Sequence, residues 1–73
     1  MHYQIEAALG WYANKKGIKY IAIAQNTNLS LDVISRAFNG KRRLRAEESL
    51  LICDFMGIEN PRDLCREYES RTA

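Results

Sequence analysis

The stretch YIAIAQNTNLSLDVISRAFNGKRR, residues 20–43, decides how this chain folds, because two short helical patterns flank a turn within it. The first pattern covers about residues 20–25. Asparagine and threonine at 26–28 then form a cluster of turn-forming residues, which interrupts a helix. Ser30 is a good N-cap, so a second helix is predicted from residue 31 to residue 38 or 39, where Asn-Gly ends it.

Side-chain sizes in this stretch fit two helices that cross at close range. Ala24 is small at the predicted crossing. Asn28 follows four residues later, where the turn requires a positive φ that asparagine tolerates better than most residues. Leu29 is expected to point inward as a hydrophobic plug, and Ile34 to hold the second helix against the first. Each feature is weak alone, but together they predict a helix–turn–helix unit over about residues 20–39.

The rest of the chain has helical periodicity, and no segment is a convincing strand. The first helix is predicted over about residues 3–16, followed by Gly17 as a left-handed cap. Its inward face is formed by Ile5, Ala8, Leu9 and Tyr12. Trp11 lies off that face and is either a cover for the edge of the core or an exposed anchor for a partner.

Two further helices are predicted in the C-terminal third of the chain. The fourth runs over about residues 46–56, and its expected apolar face comprises Leu50, Leu51 and Phe55, with Ile52 as a further candidate. The fifth begins at Asn60-Pro61, where asparagine caps the helix and proline occupies its first position. It is expected to run to about residue 68, with residues 70–73 frayed. Its inward residues are Leu64, Cys65 and Tyr68.

A chain of 73 residues forms one domain, here an all-α domain of five short helices over residues 1–73. Two cysteines, Cys53 and Cys65, are too few for a disulfide framework, so buried reduced thiols are predicted. His2 is the only histidine and no Cys-x-x-Cys pair occurs, so no metal site or other cofactor is predicted. No nucleophile is paired with a base, and no Gly-rich phosphate loop is present, which argues against an enzyme.

Hydropathy gives no sign of membrane insertion. No apolar run approaches the roughly 20 residues that a membrane span needs. The N-terminal MHYQIEAALGWY lacks the basic start and the long apolar stretch of a signal peptide. The sequence therefore predicts a cytoplasmic protein, and no small-molecule ligand is apparent.

Charge is unevenly distributed along the chain, although the net charge is only +2. Residues 30–45 contain five basic side chains and one acidic one, whereas residues 46–73 contain seven acidic side chains and three basic ones. A basic band of this kind is typical of a surface that meets a phosphate backbone. A solvated loop would show the same composition, so charge alone leaves both readings open.

Several short motifs in this chain resemble the phage-repressor and Cro-type helix–turn–helix family, also called XRE-like. They are IA (23–24), NL (28–29), ISR (34–36), FNGKR (38–42) and the later LLICDFMGIENPRDL (50–64). The resemblance covers about residues 3–68 and is one of pattern. It implies a five-helix lambda-repressor-like DNA-binding domain, which acts as a homodimer on a two-fold-related operator in double-stranded DNA.

The resemblance also implies roles for individual residues. The helix at 31–39 becomes the recognition helix, which places base-reading side chains in the major groove. These are Ser30, Leu31, Asp32, Ser35, Arg36 and Asn39. The implied phosphate contacts are Lys19, Tyr20, Lys41, Arg42 and Arg43. Arg36 is suited to a guanine edge, and Asp32 either accepts from a cytosine amino group or orients Arg36 four residues on.

The function expected from this sequence is therefore a sequence-specific transcriptional regulator of the repressor type. The alternative is a protein-interaction module, such as an antirepressor or an adaptor, that keeps the fold without specific DNA binding. The apolar YIAIA helix, Trp11 and Asp32 favour the alternative. The basic residues at 41–45 favour DNA.

Overall fold

The computed structural model describes residues 5–72, which contain five α-helices. In chain order they are α1 (Ile5–Lys16), α2 (Tyr20–Thr27), α3 (Leu31–Phe38), α4 (Ala46–Met56) and α5 (Pro61–Thr72). No strand occurs in these residues, which confirms the predicted all-α class. The predicted start of α1 at residues 3–4 lies outside the described residues. Two predicted ends are too early, because α2 continues through Thr27 and α5 remains helical at 70–72, where a frayed end is predicted.

The turn between α2 and α3 has the predicted geometry. Asn28 ends α2 in the left-handed conformation, with φ of 62° and ψ of 20°. Ser30 then caps α3, because its Oγ accepts a hydrogen bond of 3.1 Å from the backbone N–H of Val33. Thr27 is buried, and its hydroxyl donates to the Ile23 carbonyl, so this polar group needs no solvent. The backbone conformation of Asn28 and the hydrogen bonds of Thr27 and Ser30 therefore determine the short turn between the two helices.

One core is shared by all five helices. α3 packs against α1 and α2, α4 packs against α2 and α1, and α5 packs against α1. The largest fully buried side chains are Leu9, Ile23, Ile34 and Ile52. Leu29 is partly buried against this core, as predicted, and so are Ile58 and Tyr68.

Gly10 sets the distance between α1 and α3. It is buried in the middle of α1, and a methyl group added there would lie 3.0 Å from Cβ of Phe38 and 3.3 Å from the carbonyl oxygen of Phe38. Glycine costs helix stability relative to alanine, so its presence here is explained by this close approach. The recognition helix of the sequence prediction is thus seated directly on α1.

The predicted apolar face of α4 is right for Ile52, which is buried, and wrong for its three other members. Leu50, Leu51 and Phe55 are 60%, 45% and 37% exposed, and the face that enters the core is formed by Ile52, Cys53 and Met56. Both sets have a helical spacing, and α4 is apolar around most of its circumference, so periodicity alone does not select the buried face. The three large side chains are left on the surface.

Both cysteines are buried free thiols, as predicted. Burial raises the pKa of Cys53 and of Cys65, and the charges of nearby acidic groups add to this effect. The two thiols therefore stay protonated and behave as small apolar groups. None of the helices within residues 5–72 combines the length and the apolar character needed to cross a membrane.

Candidate nucleic-acid interface

The outer face of α3 presents a short row of exposed side chains. Leu31, Asp32 and Arg36 are exposed on this helix, Ser30 and Asn39 are exposed at its two ends, and Ser35 is half-buried. The opposite face is buried through Ile34, Ala37 and Phe38. The sequence predicts this division of the helix, and the structure confirms it. The six side chains that the sequence prediction assigns to base reading therefore share one surface.

Arg36 and Asp32 form an ion pair on that surface. The Nε atom of Arg36 lies 3.2 Å from Oδ2 of Asp32, one helical turn earlier, and both side chains are more than 60% exposed. An exposed pair of this kind stabilises a helix by only about 0.2–0.5 kcal/mol. Its larger effect is on conformation, because Asp32 holds the guanidinium near the N-terminal half of α3. The second of the two predicted roles for Asp32, orienting Arg36, is the one that fits this geometry.

Asn39 and Gly40 end α3 and lead into the segment at residues 41–45, the basic loop, which connects α3 to α4. The side-chain amide of Asn39 donates to the Ser35 carbonyl at 2.8 Å, and the backbone N–H of Lys41 donates to the Arg36 carbonyl at 2.8 Å. Gly40 adopts a φ of 76°, which a residue with a side chain rarely does. The Asn39 amide would have to break its hydrogen bond to the Ser35 carbonyl before it could donate to a base edge.

Lys41 and Arg42 differ in the loop, although both are predicted to contact phosphates. Lys41 is exposed, and its ammonium group has no ion-pair partner within the part of the chain that the structure describes. Arg42 is half-buried, and its guanidinium forms two hydrogen bonds to the Glu48 carboxylate, at 3.0 and 3.4 Å. Arg42 thus fastens the loop to α4, and its charge is largely neutralised.

Glu48 is the acceptor that organises the start of α4. Its carboxylate also accepts from the backbone N–H of Arg45 at 2.8 Å, which is the glutamate half of a capping box. The hydrogen bonds from Arg42 and from the Arg45 backbone lower the pKa of Glu48 below its ordinary value. The carboxylate therefore stays ionised and paired at neutral pH.

Glu6 holds the other side of the same loop. It is 7% exposed, and its Oε2 accepts a hydrogen bond of 2.8 Å from the backbone N–H of Leu44. The same oxygen lies 3.6 Å from Nε of Arg43. The side chain of Arg43 remains 84% exposed, so its guanidinium faces solvent even though it lies near this carboxylate. Arg43 keeps the reach that a phosphate contact requires.

The first turn of α2 lies beside the end of α3. The rings of Tyr20 and Phe38 meet edge to face, with their centroids 5.1 Å apart. Tyr20 is therefore mainly a packing residue. Lys19, the residue before it, is exposed and makes no side-chain cap, so the first backbone N–H groups of α2 are not satisfied by that side chain. A helix start of this kind, next to a lysine, favours an anion.

The sequence prediction misses the structural roles of Glu6 and Gly10 and the pair that Glu48 forms with Arg42. A glutamate in an otherwise apolar stretch of α1, and a glycine at the centre of that helix, are the signals that would have found the first two. Glu48 follows Arg45 by three residues, the spacing of a capping box. Its partner Arg42 is six residues away in sequence, and no local rule predicts that pair.

Comparison with known proteins adds no relative: no family model, no curated protein and no solved structure matches this chain. The function must therefore be argued from the surface itself. Within residues 5–72, no three or more His, Cys, Asp or Glu side chains are grouped to hold a metal ion. His2 lies outside these residues.

Proposed function

We propose that this chain is a sequence-specific DNA-binding transcriptional regulator that places α3 in the major groove of double-stranded DNA. The observation that carries the proposal is the arrangement of α3. One face of this eight-residue helix is buried on α1 and α2, and the other presents Arg36, Asp32 and Ser30 directly before an exposed basic loop. A major groove admits one helix, and its base edges are read by such side chains.

Phosphate contacts are assigned unequally to the five candidate residues. Lys19, Lys41 and Arg43 are exposed and are proposed to meet the backbone. Arg42 and Tyr20 are proposed to position the loop and the start of α2, because one is paired with Glu48 and the other packs on Phe38. Contacts to phosphate orient a protein without selecting a sequence, so specificity is assigned to α3.

A homodimer on a two-fold-related operator remains part of the proposal. One α3 of eight residues covers little DNA, and specific protein–DNA interfaces bury about 1,000–2,500 Å² of protein surface. Leu64 is buried, and Ile58 and Tyr68 are half-buried in the core of the single chain. These three residues are therefore poor candidates for the contact between two copies.

A second candidate function is a protein-interaction module of the antirepressor or adaptor type. The observation that favours it is the state of the loop, where both Arg42 and Arg43 lie close to a carboxylate of this chain. Ile21 is also 47% exposed on α2, where a DNA-binding protein has more use for a polar side chain. This candidate requires no affinity for DNA.

Selection from a pool of random duplex DNA, repeated at two salt concentrations, separates the two candidates. A DNA-binding regulator enriches a motif with two-fold symmetry. Its affinity falls steeply with salt, by about 0.9 in log–log slope for each phosphate that it neutralises. An absence of binding at low salt would overturn the proposal and favour the interaction module. Weak binding without an enriched sequence would leave the loop as a general phosphate contact and remove the base-reading role of α3.

A further inference from the structure

The exposed side of α4 carries large apolar side chains that the fold does not use. Leu50 is 60% exposed, Leu51 is 45% exposed and Phe55 is 37% exposed. They make up three of the five large hydrophobic side chains that are exposed within residues 5–72. Leu51 and Phe55 are one helical turn apart and lie on the same side of α4. Neighbouring exposed apolar side chains of this kind are a feature of interaction surfaces.

Two carboxylates share this side of α4. Glu47 lies one turn before Leu51, and Asp54 lies one turn after Leu50, so acidic and apolar side chains alternate along the exposed surface. We call this surface the α4 face, and it consists of Glu47, Leu50, Leu51, Asp54 and Phe55. Both carboxylates are exposed.

The acids of the α4 face differ from most other acids in the C-terminal third. Glu48, Asp63 and Glu67 each form an ion pair with a basic side chain of this chain. Neither Glu47 nor Asp54 has such a partner within the described residues. Asp54 is also in the last turn of α4, where the helix dipole disfavours negative charge and where no basic residue compensates it. The fold itself gains nothing evident from this aspartate.

We infer that the α4 face is a docking surface for a basic amphipathic helix of a partner protein. Such a helix lays apolar side chains one turn apart against Leu50, Leu51 and Phe55, while its lysine or arginine residues reach Glu47 and Asp54. A second copy of this chain fits the face poorly. Two-fold pairing of the face would bring the four carboxylates of the two copies together, and like charges across an interface are unfavourable.

The size of the face fits a short helical ligand. α4 contains 11 residues and spans roughly 16 Å at about 1.5 Å per residue. A strip of that length and about 10 Å wide, the diameter of a helix, covers roughly 160 Å², whereas a standard stable interface buries about 800 Å² per partner. The complex is therefore expected to be transient. The inference uses no property of α3 or the basic loop, so it stands whether or not the chain binds DNA.

Two fluorescent synthetic peptides test the inference in the absence of DNA. Both are 14-residue amphipathic helices with the same leucines, and their polar flanks contain lysine in one and glutamate in the other. Fluorescence anisotropy with the full chain is expected to show binding of the lysine peptide at least tenfold tighter than that of the glutamate peptide. Equal binding of the two peptides, or no binding of the lysine peptide at low salt, would overturn the inference.

Matched variants locate the binding site. Leu51→Gln and Leu50→Gln are each expected to weaken the lysine peptide about fivefold or more, because each removes apolar area from the contact. Asp54→Asn is expected to weaken it about two- to fivefold. Ile21→Gln and Asp63→Asn make the same chemical changes away from the face and should leave binding unchanged. Circular dichroism verifies that all five variants are folded.

Two results would contradict the assignment directly. If Leu51→Gln, Leu50→Gln and Asp54→Asn all bound the lysine peptide like the parent chain, the peptide would be binding elsewhere. If sedimentation velocity showed a dimer of the parent chain that Leu51→Gln dissociates, the occupant of the face would be a second copy instead. The first result leaves the DNA selection untouched, and the second would supply the homodimer of the proposed function while removing the partner helix, so the two proposals can fail separately.

Discussion

At the scale of single residues, Arg36 is the side chain on which the base-reading proposal depends most. Its guanidinium is held by Asp32 at 3.2 Å and is exposed on the outer face of α3. Arginine reads a guanine through two parallel hydrogen bonds, and a carboxylate that holds the fork in place reduces the entropy lost on binding. The pair is thus more valuable for orientation than for the stability of the helix.

Replacement of Arg36 by alanine should separate these two effects. We expect Arg36→Ala to weaken binding to the selected operator by about 1–3 kcal/mol and to broaden the sequence preference at one position. The unfolding free energy should change by less than about 0.5 kcal/mol, the value of an exposed pair one turn apart. Titration of operator and scrambled duplexes measures the first effect. The control is Arg62→Ala, which truncates an exposed arginine on α5. If both variants lost the same operator affinity, α3 would not be the element that reads bases.

Lys41 and Arg42 are adjacent in sequence, but truncation of Lys41 is expected to change DNA binding and truncation of Arg42 is expected to change stability. Lys41→Ala should reduce the salt dependence of binding by about 0.9 in log–log slope, equally on all sequences, and leave stability unchanged. Arg42→Ala should lower the unfolding free energy by about 1 kcal/mol, because it leaves the partly buried Glu48 carboxylate without its main partner. Urea denaturation and binding at several salt concentrations measure both. A stable Arg42→Ala protein with a reduced salt slope would instead make Arg42 a phosphate contact.

At the scale of the helices, local sequence chemistry predicts the start of α3 and the turn before it, although the predicted ends of α2 and α5 are too early. Ser30 caps α3 as expected, and Asn28 has the positive φ expected of the turn. Both depend on neighbours within three residues, which a single sequence contains. The overrun of α2 through Thr27 has a local cause as well, since the threonine hydroxyl is satisfied by the Ile23 carbonyl and remains helical.

The orientation of α4 was beyond the reach of the same reasoning. Ile52 is buried, but Leu50, Leu51 and Phe55 are more apolar than the other buried residues, Cys53 and Met56, so a rule based on hydrophobicity selects the wrong side of α4. The actual rotation of α4 depends on its contacts with α2 and on the Glu48–Arg42 pair at its start. These are contacts between distant parts of the chain, and periodicity contains no information about them. The exposed row on α3 follows from helical periodicity and is predicted. The pair of Arg42 with Glu48 joins two different elements and is missed.

The contact between α1 and α3 provides a direct test of how α3 is held. We expect Gly10→Leu to lower the unfolding free energy by about 1–3 kcal/mol, because the new side chain has no space against Phe38. The control Asn14→Leu places the same side chain at an exposed position of α1, where helix propensity improves. Thermal unfolding of the two variants measures the difference. If Gly10→Leu were as stable as Asn14→Leu, the two helices would not approach as closely as described.

At the scale of the whole molecule, ion pairs join parts of the chain that are distant in sequence. The basic loop is joined to α4 by Arg42 and Glu48, and α1 is joined to α5 by Lys15 and Glu67 at 3.2 Å. Trp11 packs against Tyr68 in the second contact, with the Lys15 ammonium 4.8 Å from its ring centroid. Trp11 therefore covers the edge of the core, the first of the two predicted roles. The carboxylates left without partners in this scheme include those of the α4 face.

The connection between the basic loop and α4 should make stability depend on pH. The hydrogen bond from Arg42 lowers the pKa of Glu48 below its ordinary value of 4.5, and the Arg45 backbone contributes to the same shift. A carboxyl group with a lowered pKa in the folded state binds its proton more readily when unfolded. Its stabilising effect is thus complete above about pH 4.5 and is lost as the pH falls through the folded-state pKa.

Glu48→Gln should therefore unfold at a lower temperature than the parent chain at pH 7, and the gap should close as the pH falls from 5 to 3. Thermal unfolding followed by circular dichroism at pH 7, 5, 4 and 3, in one salt concentration, measures the gap. Glu67→Gln is the control, because its pair with Lys15 is about half exposed on both sides and such pairs contribute little to stability. A gap that stayed constant at every pH would mean that Glu48 acts through its packing rather than through its charge, and that the loop is held to α4 without an ion pair.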